Sequence, residues 1–135
     1  MRRAVPNQLS NLTRTYVASS GVRVIGFHSL AAGAVQRELA VTELRRNSPE
    51  SIPIILLARL AVDVLQQNRG IGGALLLDAV RRSLSASEII GARALMINAM
   101  SDNAVNFYTR YGFRPSPIAP HLLMATMTDL RTTFG

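Results

Sequence analysis

Residues 60–76 read LAVDVLQQNRGIGGALL, and this stretch decides the fold. It joins the end of an apolar strand, through a glycine-rich turn, to the start of a helix. The first N–H groups of a helix have no partner within the helix and carry the positive end of its dipole. Glycines let a pyrophosphate approach these groups, because no Cβ stands in the way. Relief of crowding in a tight connection is the alternative, and it accounts poorly for three glycines, at 70, 72 and 73, in four positions.

The segments around this stretch alternate between strand and helix patterns. Strands are predicted over residues 15–18 and 22–27 as a hairpin, over 52–62 as a buried central strand, and over 93–100, 113–114 and 122–127. Helices are predicted from Gly70 to about Ser87, stopped by Gly91, and over residues 103–111, closed by Gly112. Residues 33–51 are polar and mixed, and residues 45–49 (RRNSP) mark a basic loop or a short helix end. Residues 1–11 are expected to be a helix end or a frayed start. The pattern predicts one domain over residues 1–135 of class α/β (α+β), with a mixed central sheet flanked by helices.

The composition excludes several kinds of chemistry. The chain of 135 residues has no cysteine, and all 15 of its Lys and Arg positions are arginine. Disulfides, thiolate nucleophiles, the lysine of a phosphate loop and Schiff-base chemistry are therefore excluded. The two histidines, His28 and His121, have no metal-ligand spacing, so no metal site is expected. No apolar stretch approaches the ~20 residues of a membrane span, and we expect a cytoplasmic protein without a membrane partner.

The formal net charge of +7 is uneven along the chain. Residues 1–60 hold eight arginines and three acidic residues, whereas residues 61–135 hold seven and five. A basic excess favours polyanionic partners, such as nucleic acid, a phosphate-bearing cofactor or an acidic protein. A general preference for arginine explains the same excess, and the composition does not separate these explanations.

Two motifs together resemble the GCN5-related N-acetyltransferases, the GNAT superfamily. The spacing Q-x-x-G-x-G at Gln67, Gly70 and Gly72 is similar to its acyl-CoA signature, and residues 103–113, NAVNFYTRYGF, resemble its A-x-x-F/Y-Y-x-x-x-G-F segment. With residues 59–63 (RLAVD) and 44–47 (LRRN), the second motif looks like the GNAT toxins of type II toxin–antitoxin pairs. The resemblance spans about residues 12–127.

The resemblance implies an acetyl-CoA-dependent N-acetyltransferase that acetylates the α-amine of aminoacyl-tRNA and so blocks translation. It also implies a ribbon-helix-helix antitoxin as a partner. Two other functions stay open: acetylation of a protein N-terminus or a small amine, and an inactive remnant that binds acetyl-CoA or an antitoxin. A DNA-binding module is the weakest alternative, because it leaves the glycine turn unexplained.

The resemblance further implies where acetyl-CoA binds. In the family the central strand splays from its neighbour at a bulge, and the pantetheine arm pairs with the free edge. Backbone groups of Leu60, Ala61 and Val62 would hold this arm. The turn and the first helical turn would hold the pyrophosphate, and the implied residues there are Gln67, Asn68, Arg69, Gly70, Ile71, Gly72, Gly73 and Ala74.

Tyr108 is the catalytic residue that the resemblance implies. A phenol with a pKa of about 10 can protonate a departing thiolate whose conjugate thiol has a slightly lower pKa. The alternative is a packed helix tyrosine beside Phe107 and Phe113. The amine would attack the thioester directly, with backbone N–H groups near Val62 stabilising the developing oxyanion. The sequence identifies no general base, and His28 is expected to be a satisfied core residue.

Three arginines are candidates for holding an RNA backbone: Arg45, Arg46 and Arg59. The guanidinium group suits phosphate, and such contacts make the affinity salt-dependent. A solvated charge pair is the alternative for the first two. For Arg59 the alternative is an ion pair with Asp63 or Asp102.

The sequence departs from the family at two places. Its start lacks the room for the usual first strand and helices, so an N-terminally shortened fold is expected, with the first strand and helix absent. That loss would expose a sheet edge and favour a homodimer or an antitoxin complex. In addition, Ser101 stands where many members have an asparagine that contacts CoA. By the family resemblance, Asn103 is a weak candidate for a CoA contact. It is also expected to cap the short helix.

Overall fold

The structure is a computed structural model that describes residues 2–6, 13–20, 23–62 and 70–134. Within these residues seven strands form one sheet in the order β1-β2-β3-β4-β5-β7-β6. The strands are β1 Arg2–Pro6, β2 Thr13–Ser20, β3 Arg23–Gln36, β4 Ser51–Val62, β5 Ala94–Asn98, β6 Arg114–Pro115 and β7 Leu122–Thr126. The helices are α1 Thr42–Arg45, α2 Ile71–Ile90, α3 Asp102–Arg110 and α4 Met127–Phe134, with a 3-10 turn at Arg37–Leu39 before α1. The predicted mixed sheet with flanking helices is confirmed.

The sheet is mixed because of one pair of strands. β4 and β5 run parallel, whereas the other neighbouring strands pair antiparallel. A parallel pair needs a long crossover, and α2 supplies it. The predicted central strand is confirmed as β4, which lies between β3 and β5.

The hairpin of β2 and β3 is confirmed, but β3 is much longer than predicted. It continues to Gln36, which pairs with Ser51 at the start of β4. The sequence pattern predicted no strand over residues 33–36, and the structure corrects this. Alanine and glycine have low intrinsic strand preference, and this segment becomes a strand because β4 lies opposite it from Ile54 to Ser51.

The amino-terminal expectation is also wrong. Arg2–Pro6 forms a strand that pairs antiparallel with β2, from Arg2 opposite Ala18 to Pro6 opposite Arg14. The sheet edge that was expected to lack its first strand is therefore covered by β1. A proline at the end of an edge strand costs little, because no further strand needs its missing N–H. Residues 7–12 lie outside the described part of the chain.

Glycines end both predicted helices. Gly91 closes α2 in the left-handed conformation (φ 72°) and donates its N–H to the Ser87 carbonyl at 2.9 Å. Gly112 follows α3 with φ 94°. These left-handed positions favour glycine over any residue with a Cβ. Both predicted stops are confirmed.

Helix α4 is absent from the sequence prediction, which continued the last strand through Met127. In the structure β7 ends at Thr126, and the Asp129 N–H donates to the Thr126 hydroxyl at 3.1 Å. A threonine followed three residues later by an acidic residue is a helix-start signal. Leu130 of α4 is buried, which fastens the helix to the core.

The core lies on both faces of the sheet. On one face Leu57 and Ile97 pack with Leu76 and Val80 of α2 and Leu130 of α4. On the other face a smaller cluster surrounds Leu44 of α1 and comprises Val35, Ala40, Val41, Ile52, Ile54, Ala94 and Met124. Within the described residues no helix is long and apolar enough to span a bilayer.

Candidate active site

The site begins where β4 and β5 separate. The two strands pair only from Ile55 opposite Leu95 to Leu57 opposite Ile97. β5 ends at Asn98, whereas β4 continues to Val62 while remaining paired with β3. In the described residues, β4 beyond Leu57 therefore has no strand partner on its β5 side. An unpaired strand edge offers N–H and C=O groups to an extended ligand.

A β-bulge lies at the point of separation. Ser29 of β3 is opposite Arg59, and the next residue, Leu30, is opposite Leu57, so Ala58 is an extra residue in β4. A bulge bends its strand and changes the direction of the following side chains. The bulge thus turns the end of β4 away from β5.

A cleft of about 300 Å³ occupies the gap. Its walls come from the end of β4, the end of β5, one residue of β3 and one face of α3. The lining residues are Phe27, Leu57, Ala58, Arg59, Leu60, Ala61, Ile97, Asn98, Ala99, Met100, Ala104 and Tyr108. Leu60 and Ala61, which the sequence predicted to hold the pantetheine arm, line this cleft together with the predicted catalytic residue.

Tyr108 lies on the face of α3 that borders the cleft and is 7% exposed. Its ring makes edge contacts with Phe107 and Phe113, with centroids 5.0 Å and 6.1 Å away. Tyr108 therefore packs against aromatic rings and also borders the cleft, so the two roles considered for it from the sequence are compatible. Burial raises the pKa of the Tyr108 hydroxyl above its ordinary value, because the phenolate loses solvation. The group is held in the protonated form that a proton donor needs.

The first turn of α2 has the glycine-dependent geometry that the sequence analysis expected. Gly70 is the N-cap and adopts the left-handed conformation (φ 76°). The Ala74 N–H donates to the Gly70 carbonyl at 3.1 Å, which closes the first helical turn. The turn has no acidic residue, so no side-chain carboxylate competes there for an anion. Of the predicted phosphate-binding residues, Gln67, Asn68 and Arg69 lie outside the described residues.

A second glycine brings α2 close to the sheet. A Cβ on Gly26 of β3 would lie 2.7 Å from Leu75 Cδ1 and 2.9 Å from the Ala61 carbonyl oxygen. Only glycine therefore allows the start of α2 to pack this closely on β3 and β4. Sequence analysis missed Gly26, since a single glycine in a strand pattern indicates close approach without naming its partner.

The predicted cap of α3 is wrong. Ser101 is the N-cap, and its hydroxyl accepts a hydrogen bond from the Ala104 N–H at 3.1 Å. Asn103 lies within the first turn and is exposed. Serine is among the best N-cap residues because its short side chain reaches the free N–H groups. Asn103 therefore keeps only its predicted role as a CoA contact.

The structure does not bring the three candidate arginines together. Arg59 is exposed at the cleft, whereas Arg45 and Arg46 lie at α1, before the start of β4. Eight residue steps of β4 lead from Ser51 to Arg59, which is about 26 Å of strand. Arg45 is half-buried and donates to the Ala40 carbonyl at 3.1 Å, whereas Arg46 is exposed. The suggested partner of Arg59, Asp102, instead contacts His121 at 3.0 Å.

His28 is a core residue, as predicted. It is fully buried on β3, and its Nε2 lies 2.7 Å from a carboxylate oxygen of Asp78 on α2. The same carboxylate accepts from Arg82 at 2.8 Å. This cluster joins α2 to the sheet behind the cleft. Among the described residues, no three His, Asp or Glu side chains are grouped as metal ligands.

Comparisons with known proteins agree with this geometry. Residues 11–115 match the profile described as acetyltransferase (GNAT) domain. A tRNA-acetylating toxin of Mycobacterium tuberculosis (strain ATCC 25618 / H37Rv) is 42% identical over 134 residues, which cover 99% of this chain and 81% of the toxin.

Two solved structures share the fold. The crystal structure of a tyrosine-to-phenylalanine mutant of KacT has a TM-score of 0.81 and 26% identity, over 91% of this chain and 76% of that chain. A tyrosine-to-phenylalanine mutant of the toxin AtaT, bound to the C-terminus of the antitoxin AtaR and acetyl-CoA, has a TM-score of 0.75 and 25% identity, over 90% and 72%. With its splayed central strands and buried cleft tyrosine, the chain belongs to the GNAT acetyltransferases and is homologous to the tRNA-acetylating toxins.

Proposed function

We propose that this protein transfers the acetyl group of acetyl-CoA to the α-amine of an aminoacyl-tRNA and thereby blocks translation. The observation that carries the proposal is the cleft between β4 and β5, in which Tyr108 faces a free strand edge. The acceptor is supported by the 42% identity to a tRNA-acetylating toxin over nearly the whole chain. The proposal treats residues 1–135 as one GNAT domain.

The chain's own groups fit acetyl-CoA at two points. The edge of β4 at Leu60, Ala61 and Val62 offers hydrogen bonds to the amides of the pantetheine arm. The first turn of α2 offers N–H groups to the diphosphate, together with the preceding residues 67–69. Arg69, which lies outside the described residues, would add positive charge beside the phosphates. Asn103, on the first turn of α3, is a further contact for the carrier.

Tyr108 is the proposed proton donor. Acetyl transfer forms a C–N bond and breaks the C–S bond, and the departing thiolate takes the proton of the Tyr108 hydroxyl. The acceptor nitrogen loses one proton to solvent, and the phenolate of Tyr108 takes one back from solvent. The raised pKa of Tyr108 keeps this proton in place at neutral pH. Backbone N–H groups near Val62, on the unpaired side of β4, stabilise the negative charge that develops on the carbonyl oxygen.

The acceptor amine needs little help from the protein. An α-amine titrates near ~7.7–8.0, and the ester of an aminoacyl group makes its amine easier to deprotonate. A useful fraction is therefore neutral at physiological pH without a strong base in the cleft.

The RNA would contact the protein at two separate places. Arg59 is exposed at the cleft and is positioned for the phosphates next to the reacting end. Arg45 and Arg46 lie at the end of α1, before the start of β4, which suits a more distant part of an extended RNA. Under this proposal the protein acts in the cytoplasm, where charged tRNA is found.

The proposed protein partners are a ribbon-helix-helix antitoxin and a second copy of the chain. The antitoxin is supported by the AtaT structure with AtaR. The exposed sheet edge no longer supports a homodimer, because β1 covers the edge that was expected to be open. It stays a prediction that light scattering can test.

A transfer assay distinguishes this function from its alternatives. The protein is incubated with labelled acetyl-CoA and total charged tRNA, and nuclease digestion followed by mass spectrometry identifies the labelled product. We expect label on the amino acid of an aminoacyl-adenosine. Label on protein N-termini or free amines would instead favour the second acetyltransferase function. A melting-temperature shift with acetyl-CoA but no transfer would identify an inactive remnant.

A further inference from the structure

The first turn of α2 is in close contact with Tyr111, the C-cap residue of α3. A Cβ on Gly73 would lie 2.5 Å from the Tyr111 hydroxyl oxygen but 3.5 Å from Cζ of the same ring. The first distance is far below van der Waals contact, and the second is ordinary contact. The hydroxyl of Tyr111 thus occupies the space that a Cβ at position 73 would need.

The ring of Tyr111 has little freedom to move. It lies between Phe107, in an edge contact at 5.3 Å, and Phe134 of α4, stacked at 6.4 Å with a 24° interplanar angle. Its backbone N–H donates to the carbonyl of Tyr108 at 3.0 Å. Tyr111 is therefore held by two aromatic rings and is tied to the turn that follows the proposed proton donor.

The contact links the two halves of the site. Gly73 belongs to the turn whose N–H groups face the diphosphate, and Tyr111 closes the helix that carries Tyr108. The pantetheine arm that joins the diphosphate to the thioester has a limited reach. The spacing of α2 and α3 therefore limits where the thioester can lie relative to Tyr108 when the diphosphate is bound.

We propose that Tyr111 is a positioning residue, whose hydroxyl sets the distance between the first turn of α2 and α3 by its contact with Gly73. The inference rests on the proposed function only in requiring that acetyl-CoA binds at this turn. The identity of the acceptor does not enter. The Tyr111 hydroxyl acts as a spacer and makes no bond to the reacting atoms.

A double-mutant cycle of Gly73→Ala and Tyr111→Phe tests the contact. Alanine is intrinsically better than glycine inside a helix, so Gly73→Ala should stabilise the protein where nothing clashes. With Tyr111 present, we expect it to lower the melting temperature instead. With Phe at position 111, the nearest ring atom is at the 3.5 Å contact distance, and the same substitution should raise the melting temperature. A change in melting temperature that reverses its sign between the two backgrounds would show that the Tyr111 hydroxyl causes the clash.

The second readout is the affinity for acetyl-CoA, measured by calorimetry. Gly73→Ala alone must move the first turn of α2, and we expect it to raise Kd about tenfold, or about 1.4 kcal/mol. Its kcat at saturating acetyl-CoA should also fall, because the bound thioester is displaced from Tyr108, and Tyr111→Phe should restore it. In the double variant Kd should return to within about threefold of the wild type. Gly33→Ala, where the nearest atom is 3.4 Å away, is the control, and its Kd should not change.

Three results would overturn the inference. Equal effects of Gly73→Ala in both backgrounds would show that the hydroxyl is not the obstacle. If the two substitutions are coupled in their effect on the melting temperature but Kd for acetyl-CoA is unchanged, Tyr111 is a packing residue only. A large loss of affinity in Tyr111→Phe without rescue would mean that the hydroxyl binds the carrier directly. A wild type that binds acetyl-CoA but leaves tRNA unlabelled would contradict the proposed function and leave this inference standing.

Discussion

Leu57 of β4 pairs with Ile97 of β5, and this is the last position at which the two parallel strands are joined. One residue later, Ala58 interrupts the register of β4 with β3. The bulge and the end of the pairing lie side by side, so the strands open directly above the core. The cleft therefore has a floor of two buried aliphatic side chains and walls that end in free backbone groups.

The first prediction concerns Tyr108→Phe. The substitution removes the donated proton and keeps the ring between its aromatic neighbours, so the fold and the acetyl-CoA affinity should be preserved. We expect kcat to fall about 10²- to 10⁴-fold, the usual contribution of a general acid. Transfer kinetics and calorimetry measure the two quantities. Tyr16→Phe is the control, because Tyr16 stacks on His28 outside the cleft. Undiminished transfer by Tyr108→Phe would remove Tyr108 from the mechanism.

The second prediction is the pH profile of kcat/KM for aminoacyl-tRNA. The rate should rise with pH while the acceptor amine loses its proton, and it should level off above about pH 8. A proton donor must stay protonated, and burial raises the pKa of Tyr108. Its ionisation should therefore cause no decline between pH 8 and 9. A decline in that range, with tRNA and protein intact, would indicate a different donor with a lower pKa.

The third prediction concerns Gly26→Ala. The new methyl group would be too close to both the Leu75 side chain and the Ala61 carbonyl oxygen, and a backbone atom cannot move aside as a side chain can. We expect a loss of about 1–3 kcal/mol in the free energy of unfolding, typical of an overpacked core. Urea unfolding measures it. Gly33→Ala on the same strand should stay within about 0.5 kcal/mol of the wild type. Equal stabilities of the two variants would contradict the close packing of α2 on β3.

The fourth prediction separates the candidate RNA contacts. Arg46→Ala and Arg59→Ala should each weaken tRNA binding and reduce the slope of log affinity against log salt by about 0.7–1. Acetyl-CoA affinity should not change in Arg46→Ala, which lies away from the cleft. Arg45→Ala should also lower stability, because it removes the hydrogen bond to Ala40. Filter binding at several salt concentrations measures the slope, with Arg81→Ala on α2 as an exposed control. An unchanged salt slope in both variants would exclude these arginines from the RNA contact.

Local patterns predicted the parts of the fold that local interactions form. The helix after the glycine turn ends at Gly91 and the short helix at Gly112, because a left-handed residue stops a helix whatever surrounds it. The capping signal of α4 was also local, at Thr126 and Asp129, and sequence analysis overlooked it in favour of a continuous strand. Ser101 was likewise overlooked as a cap.

Long-range pairing decided the rest. Residues 33–36 are a strand because β4 lies beside them, and Arg2–Pro6 is a strand because β2 does. Neither segment is rich enough in β-branched and aromatic residues to predict a strand. The bulge at Ala58 likewise depends on how β3 and β4 pair, so the sequence of neither strand predicts it.

The amino-acid sequence by itself determined the fold family, the position of the glycine turn and the identity of the cleft tyrosine, because these depend on short motifs. Only the tertiary structure decided which atoms meet at the site. Two contacts join residues that are far apart in the chain: Tyr111 with Gly73, and Gly26 with Leu75. The tertiary structure also decided that Arg59 and Arg46 lie apart. Such distances follow from how sheet and helices pack together, and packing is a property of the whole domain.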